Sequence, residues 1–158
     1  MINIDEILKN FPKRAQDAGK KDFGHVFIMA GSSGYTGAAY LTSQAAILSG
    51  SGLVTLAVGK SIYPIMAEKL TEVMVKPFFE TRDYSLSLLA EKELLSNASK
   101  CTCVAIGPGI SRNKETQGLV RSVLGKIDKP VILDADGINA FADHIDSLKK
   151  STASLVLT

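Results

Sequence analysis

Three segments of the sequence carry the residue types best suited to ligand chemistry. They are 31–37 (GSSGYTG), 107–109 (GPG) and 134–139 (DADGIN), and each follows a short apolar run typical of a buried strand. The first segment joins such a run to an Ala-rich helical pattern, so unpaired amides and the helix dipole would favour an anion there. Glycines permit close approach to the backbone. This pattern predicts a site for a small ligand that carries negative charge.

The residues alone leave a structural explanation open for each segment. Glycines in 31–37 also suit a tight turn, and a proline between two glycines suits a rigid one. Asp134 and Asp136 could hold a magnesium ion through water or orient a hydroxyl. They could equally serve as a strand-end hydrogen-bonding group and a helix N-cap. No single segment decides between a ligand site and a turn.

Two common nucleotide-binding motifs are absent. The spacing in 31–37 is G-x-x-G-x-x-G, and the next apolar run ends at Gly59 and Lys60 instead of an acid, so the dehydrogenase fingerprint fails. Gly59-Lys60-Ser61 imitates the end of a P-loop, but Val54 stands where the first glycine is required. Neither a Rossmann dehydrogenase nor a P-loop enzyme is expected.

The elements that must position these segments alternate between strand and helix. This alternation predicts an α/β fold: three α/β/α layers around a mainly parallel sheet, in one domain over 1–158. The carboxyl ends of its strands would bring all three segments to one edge of the sheet. The expected strands are 25–30, 53–58, 73–75, 101–106, 131–133 and 153–157. The expected helices are 4–10 capped by Asn3, one after Ser61, and 38–48, 85–95 and 114–124.

Charge and composition narrow the possible partners. Eighteen Lys and Arg against sixteen Asp and Glu leave a net charge of +2 without a basic run, so neither nucleic acid nor a membrane surface is expected. The sequence contains no long apolar segment, which makes the cytoplasm the expected location. Cys101 and Cys103 are expected to be buried thiols on one face of a strand. With only His25 and His144 besides, no metal-ligand set is predicted.

Taken together, the three segments resemble one enzyme family. The stretch AGSSGYTGAAYLTSQAAILSGSGLVTLAV, followed by AIGPGI and VILDADGIN, is similar to the ADP/ATP-dependent NAD(P)H-hydrate dehydratases of the ribokinase-like superfamily. The likeness runs from about residue 20 to Thr158, with Ala30 where the family often has a further glycine. The family's Pro-His-Pro-Gly-Glu segment and the Gly-x-Gly-Asp motif with the catalytic aspartate do not occur. The sequence is therefore expected to be the amino-terminal part of a truncated domain.

The resemblance implies repair of hydrated NADH or NADPH by a hydro-lyase. ADP or ATP, with Mg²⁺, would phosphorylate the C6 hydroxyl, and phosphate would then leave. The catalytic residues and the donor site are expected beyond Thr158, and no residue is assigned to a metal. The residues implied in substrate binding lie in the three segments: Gly31, Ser32, Gly34, Tyr35, Gly37, Ala38, Gly107, Pro108, Gly109, Asp134, Asp136 and Asn139.

Two other functions remain open. One is a ribokinase-like kinase of a small alcohol, similar to hydroxyethylthiazole kinases. The other is a dinucleotide-binding module without catalysis. A truncated sheet would expose a strand edge, so the expected partner is a second copy of the chain or a complementing carboxy-terminal segment. The choice of ADP or ATP, and of NADH or NADPH hydrate, is left open by the residues.

Overall fold

A single parallel sheet organises the chain. The computed structural model describes residues 4, 9 and 15–158, so the helix expected over 4–10 lies outside the described residues except at Ile4 and Lys9. Within the described part, six strands form the sheet in the order β3-β2-β1-β4-β5-β6, and every pairing is parallel. The strands are β1 (His25–Met29), β2 (Leu53–Gly59), β3 (Met74–Phe78), β4 (Cys103–Ile106), β5 (Val131–Leu133) and β6 (Leu155–Leu157).

Helices lie on both faces of this sheet. The α-helices among the described residues are α1 (Thr36–Leu48), α2 (Tyr63–Lys69), α3 (Glu91–Ala98), α4 (Lys114–Leu124), α5 (Asp136–Asn139) and α6 (Ile145–Lys149), and a 3₁₀ helix covers Lys20–Phe23. Ala39 of α1 and Met66 of α2 belong to the apolar cluster on one face. Leu94 of α3 and Leu119 of α4 belong to the cluster on the other. The expected α/β/α layering is confirmed.

One expected helix begins well after the residue that the sequence pattern predicts. The helix expected over 85–95 begins at Glu91, after a 3₁₀ turn at Leu88–Ala90. Ser85 is held in a loop instead, because its hydroxyl bonds those of Thr81 (2.9 Å) and Thr116 (2.7 Å). Thr116 is distant in the sequence and Thr81 lies in a turn, so the helical periodicity of the sequence gives no sign of these hydrogen bonds.

The expectation that both cysteines face the same way is wrong. The strand begins at Cys103, and Cys101 lies in the preceding turn, where its thiol donates to the backbone oxygen of Asn97 at 3.4 Å. Cys101 therefore packs in the cluster that contains Val104. Cys103, whose neighbour in the strand is Val104, points to the opposite face.

One face of the sheet loses its cover towards β6. Strand register places one residue from each strand in a row across this face: Val75, Leu56, Ile28, Ala105, Ile132 and Val156. Ile28 is fully buried, but Ile132 is 39% exposed and Val156 58% exposed. We call the uncovered part, formed by Cys103, Ile132 and Val156, the bare face. An apolar groove of about 540 Å³ runs along it.

Helix length also bears on membrane association. In the part of the chain that the structure describes, no helix has both the length and the apolar character needed to cross a membrane.

Candidate functional site

The three glycine and aspartate segments meet at one edge of the sheet. Strand β1 pairs with β4, and β4 pairs with β5, so 31–37, 107–109 and 134–139 follow three adjacent strands at their carboxyl ends. We call these segments together the rim. The first two are directly bonded: the Gly31 amide donates to the Pro108 oxygen at 2.9 Å, and the Ser32 hydroxyl donates to the Gly109 oxygen at 2.8 Å. The predicted convergence is confirmed.

Gly107 joins the second and third segments. Its φ is +128°, and a Cβ built on it would lie 1.8 Å from the backbone oxygen of Asp134 and 2.9 Å from the Cα of Gly137. No side chain fits in that space. The close approach of these two backbones therefore requires glycine at position 107.

The rim lies between two neighbouring strands whose following helices pack on opposite faces of the sheet. Helix α1, which follows β1, packs on one face, whereas α4, which follows the neighbouring strand β4, packs on the other. Neighbouring strands that send their connections to opposite faces leave a crevice between the two loops, and ligands of open α/β sheets bind in such crevices. The topology therefore favours the same place for a ligand site as the sequence pattern does, between the first two segments.

Unpaired backbone amides line this crevice. Helix α1 has Tyr35 as its N-cap, with no side-chain capping bond and no acid in its first turn. Within the described residues, the N–H groups of Thr36, Gly37 and Gly109 have no acceptor. Gly109 lies against the start of α1, because a Cβ built on it would be 2.8 Å from that of Ala38. We call these three amides, together with the positive end of the helix dipole, the cradle, because such donors favour an anionic group.

The predicted site residues divide into a supporting set and an accessible set. Gly31, Ser32 and Gly107 are buried, and the Ser32 hydroxyl is already bonded, so these residues hold the segments together. The accessible set has some surface open to solvent: Gly34, Tyr35, Gly37, Ala38, Pro108, Gly109, Asp134, Asp136 and Asn139. Tyr35 is 60% exposed, which leaves its ring free to lie against a ligand.

The aspartates of the third segment do not belong to a cluster of three metal-ligating side chains among the described residues. The N-cap of α5 is Ala135, whose φ is +48°, so the alternative in which Asp136 caps the helix is wrong. Asp136 instead accepts a hydrogen bond from the side-chain Nδ2 of Asn139 at 3.0 Å. Among the described residues, no group of three His, Cys, Asp or Glu side chains is placed to hold a metal ion. A Mg²⁺ ion that is held mainly by water and nucleotide phosphates does not need such a cluster.

A fourth segment at this edge was not predicted from the sequence. The backbone oxygen of Tyr84 accepts from the amide of Ser33 at 3.1 Å, and the carboxylate of Asp83 accepts from the Asn113 side chain at 2.6 Å. Segment 79–87 thereby reaches the rim, with the Tyr84 ring 53% exposed beside the first segment. The polar residues after β3 are the only sequence feature that could have indicated this role. The conformation of the segment depends on hydrogen bonds of Ser85 and Asp83 to residues distant in the sequence.

Comparison with known proteins agrees with this geometry. A family model described as NAD(P)H-hydrate dehydratase matches residues 26–158. A bifunctional NAD(P)H-hydrate repair enzyme of Moorella thermoacetica is 39% identical over 93% of this chain, which spans 28% of that enzyme.

Two solved structures are similar in fold. A ribokinase-like superfamily protein of Enterococcus faecalis superimposes with a TM-score of 0.76 at 23% identity, over 90% of this chain and 47% of that one. An ADP/ATP-dependent NAD(P)H-hydrate dehydratase of Bacillus subtilis, co-crystallised with ATP and Mg²⁺, gives 0.65 at 25% identity, over 85% of this chain and 45% of that one. This chain thus spans less than half of each of these three proteins. Because the family model covers most of the sequence, and the rim lies within the matched residues, the chain belongs to the NAD(P)H-hydrate dehydratase family.

Proposed function

We propose that this chain is the substrate-binding part of an ADP/ATP-dependent NAD(P)H-hydrate dehydratase. The observation that carries the proposal is the cradle of unpaired amides at Thr36, Gly37 and Gly109, which lies in the crevice between β1 and β4. The phosphoryl group that is transferred to the hydrated nicotinamide ring is an anion of the kind that such amides bind. The accessible set of rim residues, with the exposed ring of Tyr35, would hold the nicotinamide end above this cradle.

The proposed reaction removes water that has added at C6 of the reduced nicotinamide ring. Hydroxide is a poor leaving group, so the donor's terminal phosphoryl group is transferred to the C6 oxygen, whose proton passes to a base. The C6–O bond then breaks, and phosphate leaves with the bonding electrons while the ring nitrogen forms an iminium bond to C6. Loss of a proton from C5 then restores the C5–C6 double bond and returns the electron pair to the nitrogen. The role of the rim is to hold the nicotinamide ring in one orientation, because phosphoryl transfer depends mainly on positioning and charge stabilisation.

We propose that the donor nucleotide, its Mg²⁺ and the catalytic aspartate are held by residues outside this sequence. The described residues offer no metal-ligand cluster, and the relatives are much longer than this chain. The bare face supports the same view, because Ile132 and Val156 present an apolar surface that further chain would cover. A complementing carboxy-terminal segment is the proposed occupant, and a second copy of this chain is the alternative. Free thiols at Cys101 and Cys103 accord with the cytoplasm as the proposed location.

A glycine substitution tests the cradle without disturbing the fold. A Cβ built on Gly37 meets no atom within 4 Å, so Gly37→Ala should stay folded while its methyl group enters the space reserved for the ligand. We expect NADPH hydrate to raise the melting temperature of the unaltered chain, because a ligand that binds only the folded state stabilises it. Gly37→Ala should weaken that binding by at least about tenfold, or about 1.4 kcal/mol, in calorimetric titration.

The matched control is Gly118→Ala, which adds the same methyl group at an uncrowded position within α4. It should leave NADPH-hydrate binding unchanged. Equal binding by both variants and the unaltered chain would contradict the cradle. Protection by hydroxyethylthiazole but not by NADPH hydrate would favour the kinase alternative. Sustained turnover of hydrated NADH by this chain alone, with ADP and Mg²⁺, would contradict a donor site outside the sequence.

A further inference from the structure

A second concave region lies next to the rim. It has a volume of about 370 Å³ and is formed between α4 and the segment that follows α5. Its polar lining comes from seven side chains: Arg112, Lys114, Gln117, Arg121, Asn139, Asp143 and His144. We call it the basic pocket. None of the functions assigned to the rim uses its three cationic side chains.

The basic pocket holds an excess of positive charge. Within the described residues, Arg112, Lys114 and Arg121 make no ion pair, and Asp143 is the single carboxylate among the lining side chains. The Arg121 guanidinium is fixed by a 2.6 Å hydrogen bond from Nη1 to the backbone oxygen of Ala140, which leaves its other N–H groups available. One cation of the pocket is therefore already oriented, and two are free to reach a ligand.

Two nearby carboxylates have hydrogen-bond partners outside the pocket lining, whereas a third, that of Asp136, accepts from the lining Asn139 side chain at 3.0 Å. Glu115, in the first turn of α4, accepts hydrogen bonds from the Ser87 hydroxyl and from the Leu88 amide. Asp83 accepts from the Asn113 side chain at 2.6 Å. Within the described residues, these two acids form no ion pair with Arg112 or Lys114, and their hydrogen-bond partners lie outside the pocket lining. The unbalanced charge fits an oxyanion, for which the planar arginine fork provides paired donors.

Asn139 connects the two sites. It belongs to the third segment of the rim and also lines the basic pocket. A ligand with one end on the rim therefore passes Asn139 on the way to the pocket. A dinucleotide has the required form, because its pyrophosphate group is separated from the nicotinamide ring by a ribose.

We propose that the basic pocket binds the pyrophosphate group of the dinucleotide whose nicotinamide end occupies the rim. The identity of this occupant rests on the proposed function, whereas the affinity of the pocket for pyrophosphate does not. Arg112 and Lys114 are the principal contacts, and Arg121 is a third donor. Binding is therefore sensitive to salt and to the removal of either free cation.

Inorganic pyrophosphate is the probe for the pocket itself. Calorimetric titration of the complete 158-residue chain, at about 50 mM salt to limit screening, should show binding. Arg112→Gln and Lys114→Gln should each weaken it by about tenfold, the effect of losing one charge-assisted contact. Lys92→Gln is the matched control, since it removes one charge from an exposed position on α3. Absent binding, or equal losses in all three variants, would overturn the proposal.

Two further titrations identify the occupant. Arg112→Gln should weaken binding of NADPH hydrate but leave binding of hydrated, reduced nicotinamide riboside unchanged, because the riboside has no phosphate. NADP⁺ should displace pyrophosphate at lower concentration than ADP does. Tighter displacement by ADP would assign the pocket to the donor and overturn its assignment to the substrate. If pyrophosphate binds the unaltered chain but NADPH hydrate binds neither this chain nor its variants, the proposed function is contradicted and the pyrophosphate site is not.

Discussion

Ser43 carries a hydroxyl that the fold buries without compensation. It lies in α1 with no exposed surface, and within the described residues its Oγ has no hydrogen-bond partner. A buried hydroxyl without a partner loses its bonds to water and gains nothing in exchange. Position 43 therefore lowers the stability of the helix that supplies the cradle.

Replacing this hydroxyl should stabilise the chain. Ser43→Ala is expected to raise the free energy of unfolding by about 1 to 2 kcal/mol, measured by urea denaturation with an unchanged slope. Part of that gain comes from the higher helix propensity of alanine, so Ser96→Ala on the exposed side of α3 is the control. A gain at Ser43 no larger than at Ser96 would show that the buried hydroxyl is not costly.

His25 couples stability to pH at the start of β1. Its Nε2 lies 2.8 Å from the hydroxyl of Thr55, and burial, with a smaller contribution from Lys76, lowers the pKa of this imidazole. The unfolded chain therefore binds a proton more readily than the folded chain. The free energy of unfolding should fall as the pH drops below about 6.5, until the folded imidazole is also protonated.

The variant His25→Gln should make this dependence shallower. Urea denaturation between pH 8 and pH 5 measures it in both proteins. Because the histidine is only partly buried, we predict the direction of the change and not its size. An identical loss of stability on acidification in the two proteins would assign the effect to other groups.

At the scale of elements, the segments with local signals were those that the sequence predicts well. Helix α4 runs over Lys114–Leu124 as expected, because the Asn113 side chain accepts from the amides of Glu115 and Thr116 and starts the helix there. Strand β5 also has the expected bounds. By contrast, the helix expected from Ser85 starts six residues later, since hydroxyl bonds with distant partners hold that segment in a loop.

Gly107 contacts the third rim segment because the strands that precede them, β4 and β5, pair with each other. Gly107→Ala should destabilise the chain by more than about 3 kcal/mol or prevent folding, because its Cβ would overlap the Asp134 oxygen at a left-handed φ. Chemical denaturation or the soluble yield measures the loss. Gly118→Ala, within the regular part of α4, should be neutral or stabilising by up to about 1 kcal/mol. Comparable behaviour of the two variants would contradict the packing of the rim.

At the scale of the whole molecule, the order of the strands and their parallel direction determine where the rim lies. The alternation of strand and helix patterns in the sequence was sufficient to predict a parallel sheet with the three segments at one edge. The sequence could not show which amides remain unpaired, because this depends on bonds between segments, such as that from Gly31 to Pro108. It also did not reveal the contribution of segment 79–87. The role of the rim residues in substrate binding stays a prediction.

The reactivity of Cys103 reports whether the bare face is exposed to solvent. Burial raises the pKa of both thiols, so both should react with iodoacetamide more slowly than a free cysteine does. Cys103 is partly exposed along the groove, whereas Cys101 is 4% exposed in the opposite cluster. Cys103, measured in a Cys101→Ser variant, should therefore react faster than Cys101 in a Cys103→Ser variant. The reverse order would show that the groove is covered.

The position of β1 in the sheet has a consequence for how the molecule comes apart. This strand has a neighbour on each side, β2 and β4, whereas β6 is paired on one side only and carries a 58% exposed Val156. Strands with one partner and little burial detach first in local opening, and the centre follows only when the chain unfolds as a whole. Backbone protons of β6 should thus be replaced by deuterium long before those of β1. The two loops that form the crevice would survive in a partly opened molecule whose far edge has already separated.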